Sequence, residues 1–191
     1  MIRRQLLATL TLTALALPGV ALAQAYPDRP IKVMQGFAPG GNADNIARTV
    51  GMEMSKGLGQ NIVVEAQAGA GGTIAATTVA KARPDGYTLL LATGGHAVAG
   101  AIYNNLAYRT VQDFEMVSTI TYFPFLVVVP ANSKYPNLTA LLAAARANPT
   151  ELSYGTAGIG STHHLAGELL ASMSKTKLLH VPFRGDSASL T

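Results

Sequence analysis

The fold is decided by residues 31–54, whose sequence is IKVMQGFAPGGNADNIARTVGMEM. Residues 31–37 are typical of a short buried strand, and Ala38-Pro39-Gly40-Gly41 then turns the chain. Apolar residues follow at the spacing of one helix face, namely Ala43, Ile46, Ala47, Val50 and Met54. Gly57 and Gly59 are expected to end that helix. The stretch therefore predicts a strand, a glycine-rich turn and a helix in direct succession.

The same succession continues along the chain. Residues 61–65 predict a second strand, residues 74–82 a second helix and residues 87–92 a third strand. Strands that alternate with helices of about ten residues are typical of parallel βαβ units. The sequence therefore predicts an α/β fold with parallel-rich sheets flanked by helices.

The alternation is interrupted between residues 111 and 130. Residues 116–120 and 125–129 form two extended apolar runs with no helix between them, separated at Pro124. This pattern predicts strands through which the chain leaves one sheet and enters another. We expect a first α/β lobe at about 26–118 and a second α/β lobe at about 119–191.

The strand–helix alternation resumes in the predicted second lobe. Asn137 is expected to cap a helix, and residues 152–156 and 178–183 are expected to form strands. The helix between those strands has one apolar face, formed by Leu165, Ala166, Leu169, Leu170 and Met173. Because Gly185-Asp186-Ser187 is typical of a helix start, we expect the second lobe to be incomplete in this chain.

The first 23 residues predict a signal peptide. Arg3 and Arg4 precede an apolar segment, and Ala21-Leu22-Ala23 has the small residues of a cleavage site. An uncleaved membrane anchor is the alternative, but a span needs about 20 apolar residues and Pro18-Gly19 interrupts the segment earlier. We therefore expect cleavage after about Ala23 and a periplasmic protein.

The composition excludes several classes of protein. Hydrophobic residues make up 49% of the chain and charged residues 13%, which excludes global disorder. Without Arg3 and Arg4, 12 basic residues face 10 acidic ones, so the charge is too small to indicate nucleic-acid binding. The chain has no cysteine, which excludes disulfides and thiolate metal sites.

Three glycine-rich loops are the candidate binding elements, because each follows a predicted strand and precedes a helix. They are residues 37–44, 93–98 and 156–164. Ligands of α/β sheets bind beyond the carboxyl ends of the strands, where helix N-termini offer unpaired N–H groups. Such loops in two facing lobes would hold a carboxylate without a charged side chain. For any single loop, an ordinary connector remains the alternative.

The candidate ligand-binding residues are Phe37, Ala38, Pro39, Gly40, Gly41, Asn42, Asp44, Gly94, His96, Gly158, Gly160, Ser161, Thr162, His163 and His164. Two of them also have a structural explanation. Asp44 lies in the first turn of a helix, where a carboxylate is favourable, and Phe37 suits a core.

Other chemistries are weakly indicated. A phosphate-binding loop with its lysine is absent, and Gly69-Ala70-Gly71-Gly72 lacks the last glycine of the dinucleotide motif. His164 and Glu168 are one helical turn apart, but a metal site needs a third ligand, such as His96 or His180. Ser161 is not in a Gly-x-Ser-x-Gly motif. We therefore predict no enzyme activity, no cofactor and no metal.

Seven short motifs occur in order along the chain. They are YPDRPI at 26–31, FAPGG at 37–41, AGAGG at 68–72, PDGYTL at 84–89, DF at 113–114, HLAGE at 164–168 and HVPFRG at 180–185. In this series the chain resembles the substrate-binding proteins of tripartite tricarboxylate transporters, the Bug family. The likeness runs from the signal peptide to Gly185.

The resemblance implies a two-lobed, type II periplasmic-binding-protein-like fold that closes on a small carboxylate. It implies that residues 38–44 and 158–164 hold this organic acid through main-chain groups and bridging waters. A membrane permease with one large and one small subunit would be the partner. The family usually has Gly and then Thr or Ser where this chain has Asn42-Ala43, so the ligand's identity stays open. The family also runs on beyond residue 191.

These observations predict a periplasmic solute-binding protein that delivers a small di- or tricarboxylate to such a transporter. Two alternatives from other classes remain. The first is an exported module that presents its ligand to a sensor kinase. The second is an exported hydrolase or metal-binding protein.

Overall fold

A computed structural model describes residues 25–190, so the predicted signal peptide lies outside the described residues. The first sheet contains the strands β1 (Ile31–Gln35), β2 (Ile62–Ala66) and β3 (Thr88–Leu90). Their order is β2-β1-β3, and both neighbouring pairs are parallel. In the register, Ile31 is opposite Ile62, and Lys32 is opposite both Val63 and Thr88. The predicted parallel α/β arrangement is confirmed for this sheet.

Three helices follow the strands of the first sheet: α1 (Asn42–Leu58), α2 (Thr73–Ala80) and α3 (Gly94–Ile102). A single 3-10 turn, Ala70–Gly72, precedes α2. Helix α1 ends at Gly59, which has a left-handed backbone and donates its N–H to the carbonyl of Ser55. Gly57, which was expected to help end this helix, lies inside it.

The core of the first sheet surrounds its central strand. Ile31, Val33 and Met34 of β1 are buried, because parallel strands between helices expose little surface. Small residues let the helices approach: Ala47 of α1 and the pair Ala75-Ala76 of α2 are almost fully buried.

The second sheet consists of the parallel strands β4 (Ser153–Thr156) and β5 (Leu179–Pro182). Its helices are α4 (Leu138–Ala147), α5 (Thr162–Ser174) and the short α6 (Asp186–Ser189). Asn137 caps α4 as predicted, since its side chain accepts a hydrogen bond from Ala140 N at 2.9 Å.

The two runs that were expected to be strands, 116–120 and 125–129, are not strands, and that expectation is wrong in this structure. Residues 115–130 contain no regular element, and Val117 and Leu126 are 85% and 79% exposed. An extended run becomes a strand only when a neighbouring backbone pairs with it. Neither sheet of the described chain pairs with these residues.

Helix α5 also leaves apolar surface uncovered. Leu165, Leu169 and Met173 of its predicted apolar face are 50%, 58% and 77% exposed. Within residues 25–190, no helix has the length and apolar character to cross a membrane. The boundary between the two predicted lobes stays a prediction.

Candidate functional site

The turn between β1 and α1 is organised by a buried carboxylate. Asp44, which is 3% exposed, accepts hydrogen bonds from Gly40 N at 3.0 Å and from Arg48 Nε at 2.9 Å. Gln35 Nε2 lies 3.4 Å from its other oxygen. The hydrogen bond from Arg48 is the main reason that the pKa of Asp44 lies below its usual value. These partners belong to β1, to the turn after it and to helix α1, so Asp44 shapes the candidate loop from within.

Gln35 is a residue of this site that the sequence analysis missed. It is fully buried at the end of β1, and its Oε1 accepts a hydrogen bond from Phe37 N at 2.8 Å. It therefore fixes the backbone where the strand becomes the loop. A lone amide at the end of an apolar strand was the available signal.

Backbone donors of the first loop are bonded to a segment beyond β5. Ala38 N donates to the carbonyl of Arg184 at 2.9 Å, and Asn42 N donates to Asp186 Oδ2 at 3.0 Å. Gly41 lies against the same carboxylate, which a Cβ at this position would strike. The Asp186 carboxylate thus lies at the N-terminus of α1, where the helix dipole favours negative charge. Asp186 was not among the predicted site residues.

The loop between β4 and α5 is closed by its own hydroxyl groups. Ser161 Oγ donates to Gly158 O at 2.7 Å and accepts from His164 N at 3.2 Å, which caps α5. Thr156 Oγ1 accepts from Gly158 N at 3.2 Å. Because Ser161 is 1% exposed, its hydroxyl serves the loop's geometry.

Glycine backbones from three loops meet between the two sheets. A Cβ on Gly71 would lie 2.9 Å from both Ile159 O and Gly160 C, and a Cβ on Gly95 would lie 3.0 Å from Gly71 O. Beside them, a Cβ on Gly94 would lie 2.6 Å from Thr162 Cγ2. This close approach requires glycine. Gly71 was not among the predicted binding residues, although its loop follows a strand as the other two do.

A small cavity remains beside this contact. Its volume is about 10 Å³, the lower limit for one water molecule. Its wall includes Phe37, Gly71, Gly72 and His96. In this arrangement the loops touch, and a space large enough for an organic acid requires them to separate.

The predicted site histidines lie in two different environments. His164 stacks on His180 with the ring centroids 4.1 Å apart, and its Nε2 lies 3.9 Å from Glu168 Oε1. His163 instead lies against Phe125, with the ring centroids 4.8 Å apart. Burial lowers the pKa of both His163 and His180. No three His, Cys, Asp or Glu side chains within residues 25–190 are arranged to hold a metal ion.

The structure thus brings Ala38, Gly41, Asn42, Gly94 and the 158–162 loop to the meeting point of the two sheets. Asp44 acts from behind this surface, and His163 packs against Phe125. His164 stacks on His180 and also accepts a hydrogen bond at Nδ1 from Gly160 N of the second loop, at 3.4 Å. Of the pair Asn42-Ala43, which departs from the family pattern, Asn42 is exposed to solvent and Ala43 is buried.

Comparison with known proteins identifies relatives along most of the chain. Residues 46–191 match the family described as "Tripartite tricarboxylate transporter family receptor". A "UPF0065 protein in the TAR-I ttuE-ttuC' intergenic region" of Agrobacterium vitis is 43% identical over 181 residues. The matched part is 94% of this chain and 52% of that protein. The chain spans about half the length of the curated relatives it matches.

Solved structures share the fold. MatC from Rhodopseudomonas palustris with bound malate has a TM-score of 0.81 at 37% identity. Rpa4515 of R. palustris with adipate has a TM-score of 0.82 at 34% identity. Each comparison covers 86% of this chain and 56% of the other. The periplasmic binding protein BugD has a TM-score of 0.74 at 35% identity, covering 86% of this chain and 55% of BugD. These likenesses confirm the predicted periplasmic-binding-protein-like α/β fold.

Proposed function

Because the chain belongs to the tripartite tricarboxylate transporter receptor family, we propose that it is a solute-binding protein holding a small carboxylate between its two α/β lobes. The family match confirms the resemblance that the seven motifs indicated. MatC and Rpa4515, the similar structures with bound malate and adipate, hold dicarboxylates, which supports this class of ligand.

The observation that carries the proposal is the position of the Asp186 carboxylate. It accepts a hydrogen bond from Asn42 N at 3.0 Å, at the N-terminus of a helix of 17 residues. The geometry of this turn therefore suits a carboxylate, with backbone donors and a helix dipole in place of a cationic side chain. A ligand carboxylate would form the same hydrogen bond when the segment containing Asp186 moves away.

Binding would begin with separation of the loops that now touch. Withdrawal of the segment containing Arg184 and Asp186 would free the N–H groups of Ala38 and Asn42 for the ligand. Withdrawal of Gly160 from Gly71 would open the space between the sheets. Closure around the ligand would then bring donors of both lobes onto it, because each loop is already held in shape by its own hydrogen bonds.

The proposed ligand contacts are divided by role. Main-chain groups of 38–42 and 158–162 would contact the ligand, with Gly94 and the side chain of Thr162 at the margin of the contact. Asp44 and Ser161 would position these loops. The exposed Asn42 side chain would add an amide to the site. This residue, which departs from the family pattern, would therefore help to select the ligand.

The family also provides the proposed setting. The protein would act in the periplasm and would deliver its ligand to a permease with one large and one small subunit. A sensor kinase is the alternative receiver of the loaded protein. These partners are proposed on family membership alone.

Titration calorimetry with malate, adipate and succinate tests the proposal, and mass spectrometry of co-purified small molecules widens the search. We expect at least one dicarboxylate to bind, and its dimethyl ester not to bind, because the ester lacks the charge that the helix N-terminus favours. Equal binding of acid and ester, or no organic acid bound in either experiment, would contradict the proposal.

A further inference from the structure

We infer that His164 is a positioning residue of the second loop, residues 158–162, and that it couples carboxylate binding to the uptake of a proton, an inference that rests on the proposed function. The groups involved are the backbone of Gly160, the stacked ring of His180 and the carboxylate of Glu168. The expected consequence is an affinity for the ligand carboxylate that rises as the pH falls.

The His164 ring holds a backbone donor of the second loop. Its Nδ1 accepts a hydrogen bond from Gly160 N at 3.4 Å. A ring nitrogen that accepts carries no proton, so this contact requires a neutral His164 with its proton on Nε2. The N–H of Gly160 is one of the main-chain donors that the proposed function assigns to the ligand. The ring therefore occupies a donor that a ligand carboxylate would use, as Asp186 does at Asn42.

The hydrogen bond between Gly160 and His164 is easily exchanged. Its length of 3.4 Å exceeds the roughly 3.0 Å of a typical N–H hydrogen bond. The His164 side chain is 25% exposed, so water and an anion can reach it. A ligand carboxylate would form a shorter, charge-assisted hydrogen bond with Gly160 N.

A proton on Nδ1 would reverse the role of this atom. Protonated His164 has two N–H donors and no acceptor, so its Nδ1–H would face the N–H of Gly160. A ligand carboxylate placed between these two donors would accept from both and would also be the counter-charge of the ring. Protonation and carboxylate binding therefore favour each other, and each increases the affinity for the other by the same factor.

The position of His164 in its helix strengthens this coupling. His164 lies in the first turn of α5, where the helix dipole disfavours a cation. In the free protein the helix N-terminus therefore opposes a proton on the ring. A carboxylate bound at the same helix N-terminus offsets that field, so the ring takes up a proton when the ligand binds.

The groups around His164 favour a single proton on this ring. Its Nε2 lies 3.9 Å from Glu168 Oε1, which also accepts a hydrogen bond from Tyr154 at 2.6 Å. His180 stacks on His164, and its own Nε2 lies 2.6 Å from Thr156 Oγ1. Burial, and then the neighbouring His164, lower the pKa of His180. A second proton on the stacked pair would place two like charges side by side, so the pair takes up one proton.

Calorimetry with malate and adipate between pH 8 and pH 6 tests the coupling in the full chain. Titrations in buffers of different ionisation enthalpy give the number of protons that are taken up on binding. We expect proton uptake and an affinity about three- to tenfold higher at pH 6 than at pH 8. Protonation of the ligand itself would weaken binding at low pH, so it cannot imitate this rise.

Two variants assign the proton to its residue. His164→Asn keeps an acceptor near the position of Nδ1 but takes up no proton, so binding should persist at pH 8 and no longer strengthen toward pH 6. His163→Gln is the matched control, because the ring of His163 packs against Phe125 and the charged group that acts on it is Asp186. The rise in affinity should persist in His163→Gln.

Several outcomes would overturn the coupling. An affinity of the unmodified protein that is constant or falls toward pH 6, or binding without proton uptake, would overturn it even if His164→Asn does not fold. A rise that persists in His164→Asn, or that is lost in His163→Gln, would also overturn it while leaving carboxylate binding intact. If no organic acid binds at any pH, the proposed function fails, and the coupling fails with it.

Discussion

Asp186 and Asn42 are 144 positions apart in the chain, yet Oδ2 of Asp186 accepts a hydrogen bond from the backbone N–H of Asn42 at 3.0 Å. Close by, Arg184 O accepts from Ala38 N at 2.9 Å. The two bonds join the turn before α1 to the segment after β5. In the proposed function, this side-chain carboxylate occupies the place of a ligand carboxylate.

The first prediction concerns the competition between the Asp186 carboxylate and a ligand carboxylate for the N–H group of Asn42. Asp186→Ala should raise the affinity for the preferred dicarboxylate by roughly two- to tenfold, because the ligand no longer displaces a bonded carboxylate. Asp186→Asn is the matched control, since it keeps an acceptor oxygen without the charge, and an intermediate affinity is expected. Calorimetry measures both. Weaker binding by Asp186→Ala would indicate that Asp186 contacts the ligand itself.

The second prediction concerns backbone donors and a basic side chain. Gly40 has a φ of +81°, which valine adopts poorly, so Gly40→Val should distort the turn. Each lost hydrogen bond to a charged ligand costs about 1.5–3 kcal/mol. The Arg48 side chain is 56% exposed, and Arg48→Ala should change the binding free energy by about 0–1 kcal/mol.

Calorimetric titration of both variants distinguishes binding through backbone N–H groups from binding through an ion pair with Arg48. Loss of affinity in Arg48→Ala with intact binding in Gly40→Val would mean that an ion pair holds the ligand. Thermal unfolding of each variant is the control, because Arg48 also supports the buried carboxylate of Asp44.

The third prediction concerns acid stability. Burial is the main cause of the lowered pKa of His163 and His180, whose ordinary value is 6.5. The folded protein therefore holds fewer protons than the unfolded chain below about pH 6.5. Stability should be fully present above that pH and should fall as the pH drops through the lowered pKa values.

Unfolding temperatures between pH 8 and pH 5 measure this effect. His163→Gln, which cannot be protonated, should show a shallower decline than the unmodified protein. A stability that is constant over this range, or that rises toward pH 5, would contradict the assignment.

The fourth prediction concerns exposed apolar surface. Phe125 is 46% exposed, Leu126 79% and Met173 77%, so the chain without residues 1–23 should bind dyes that report apolar surface. It should also unfold without a single sharp transition. Leu126→Ser should lower the dye signal, whereas Thr121→Ala, in the same segment, should not. A cooperative transition without dye binding would show that this surface is covered in solution.

The fifth prediction concerns export. N-terminal sequencing of periplasmic material should begin at Gln24, or at Tyr26 if Ala25 is used as the cleavage site instead. Ala23→Arg should block processing, because the cleavage site requires a small residue. Intact Met1 on a membrane-embedded protein would argue for an anchor.

Local sequence determined the elements of this protein. Short apolar runs predicted the strands β1 to β5. Asn137 begins its helix and Gly59 ends its helix, as capping chemistry requires. The glycine-rich turns were also visible, because glycine after a buried strand is a signal within a few residues. These features depend on short-range backbone preferences, which the sequence expresses directly.

The tertiary structure alone decided which turns meet. Gly71 lies against Gly160, and Asp186 against Asn42, because two sheets bring distant loops together. It also assigned Asp44 to the interior of its turn, and it left residues 115–130 unpaired. The local sequence around a carboxylate or an extended run is the same whatever group that residue or run contacts in the folded protein. Its role is set by the group that lies opposite, which depends on packing between segments far apart in the chain.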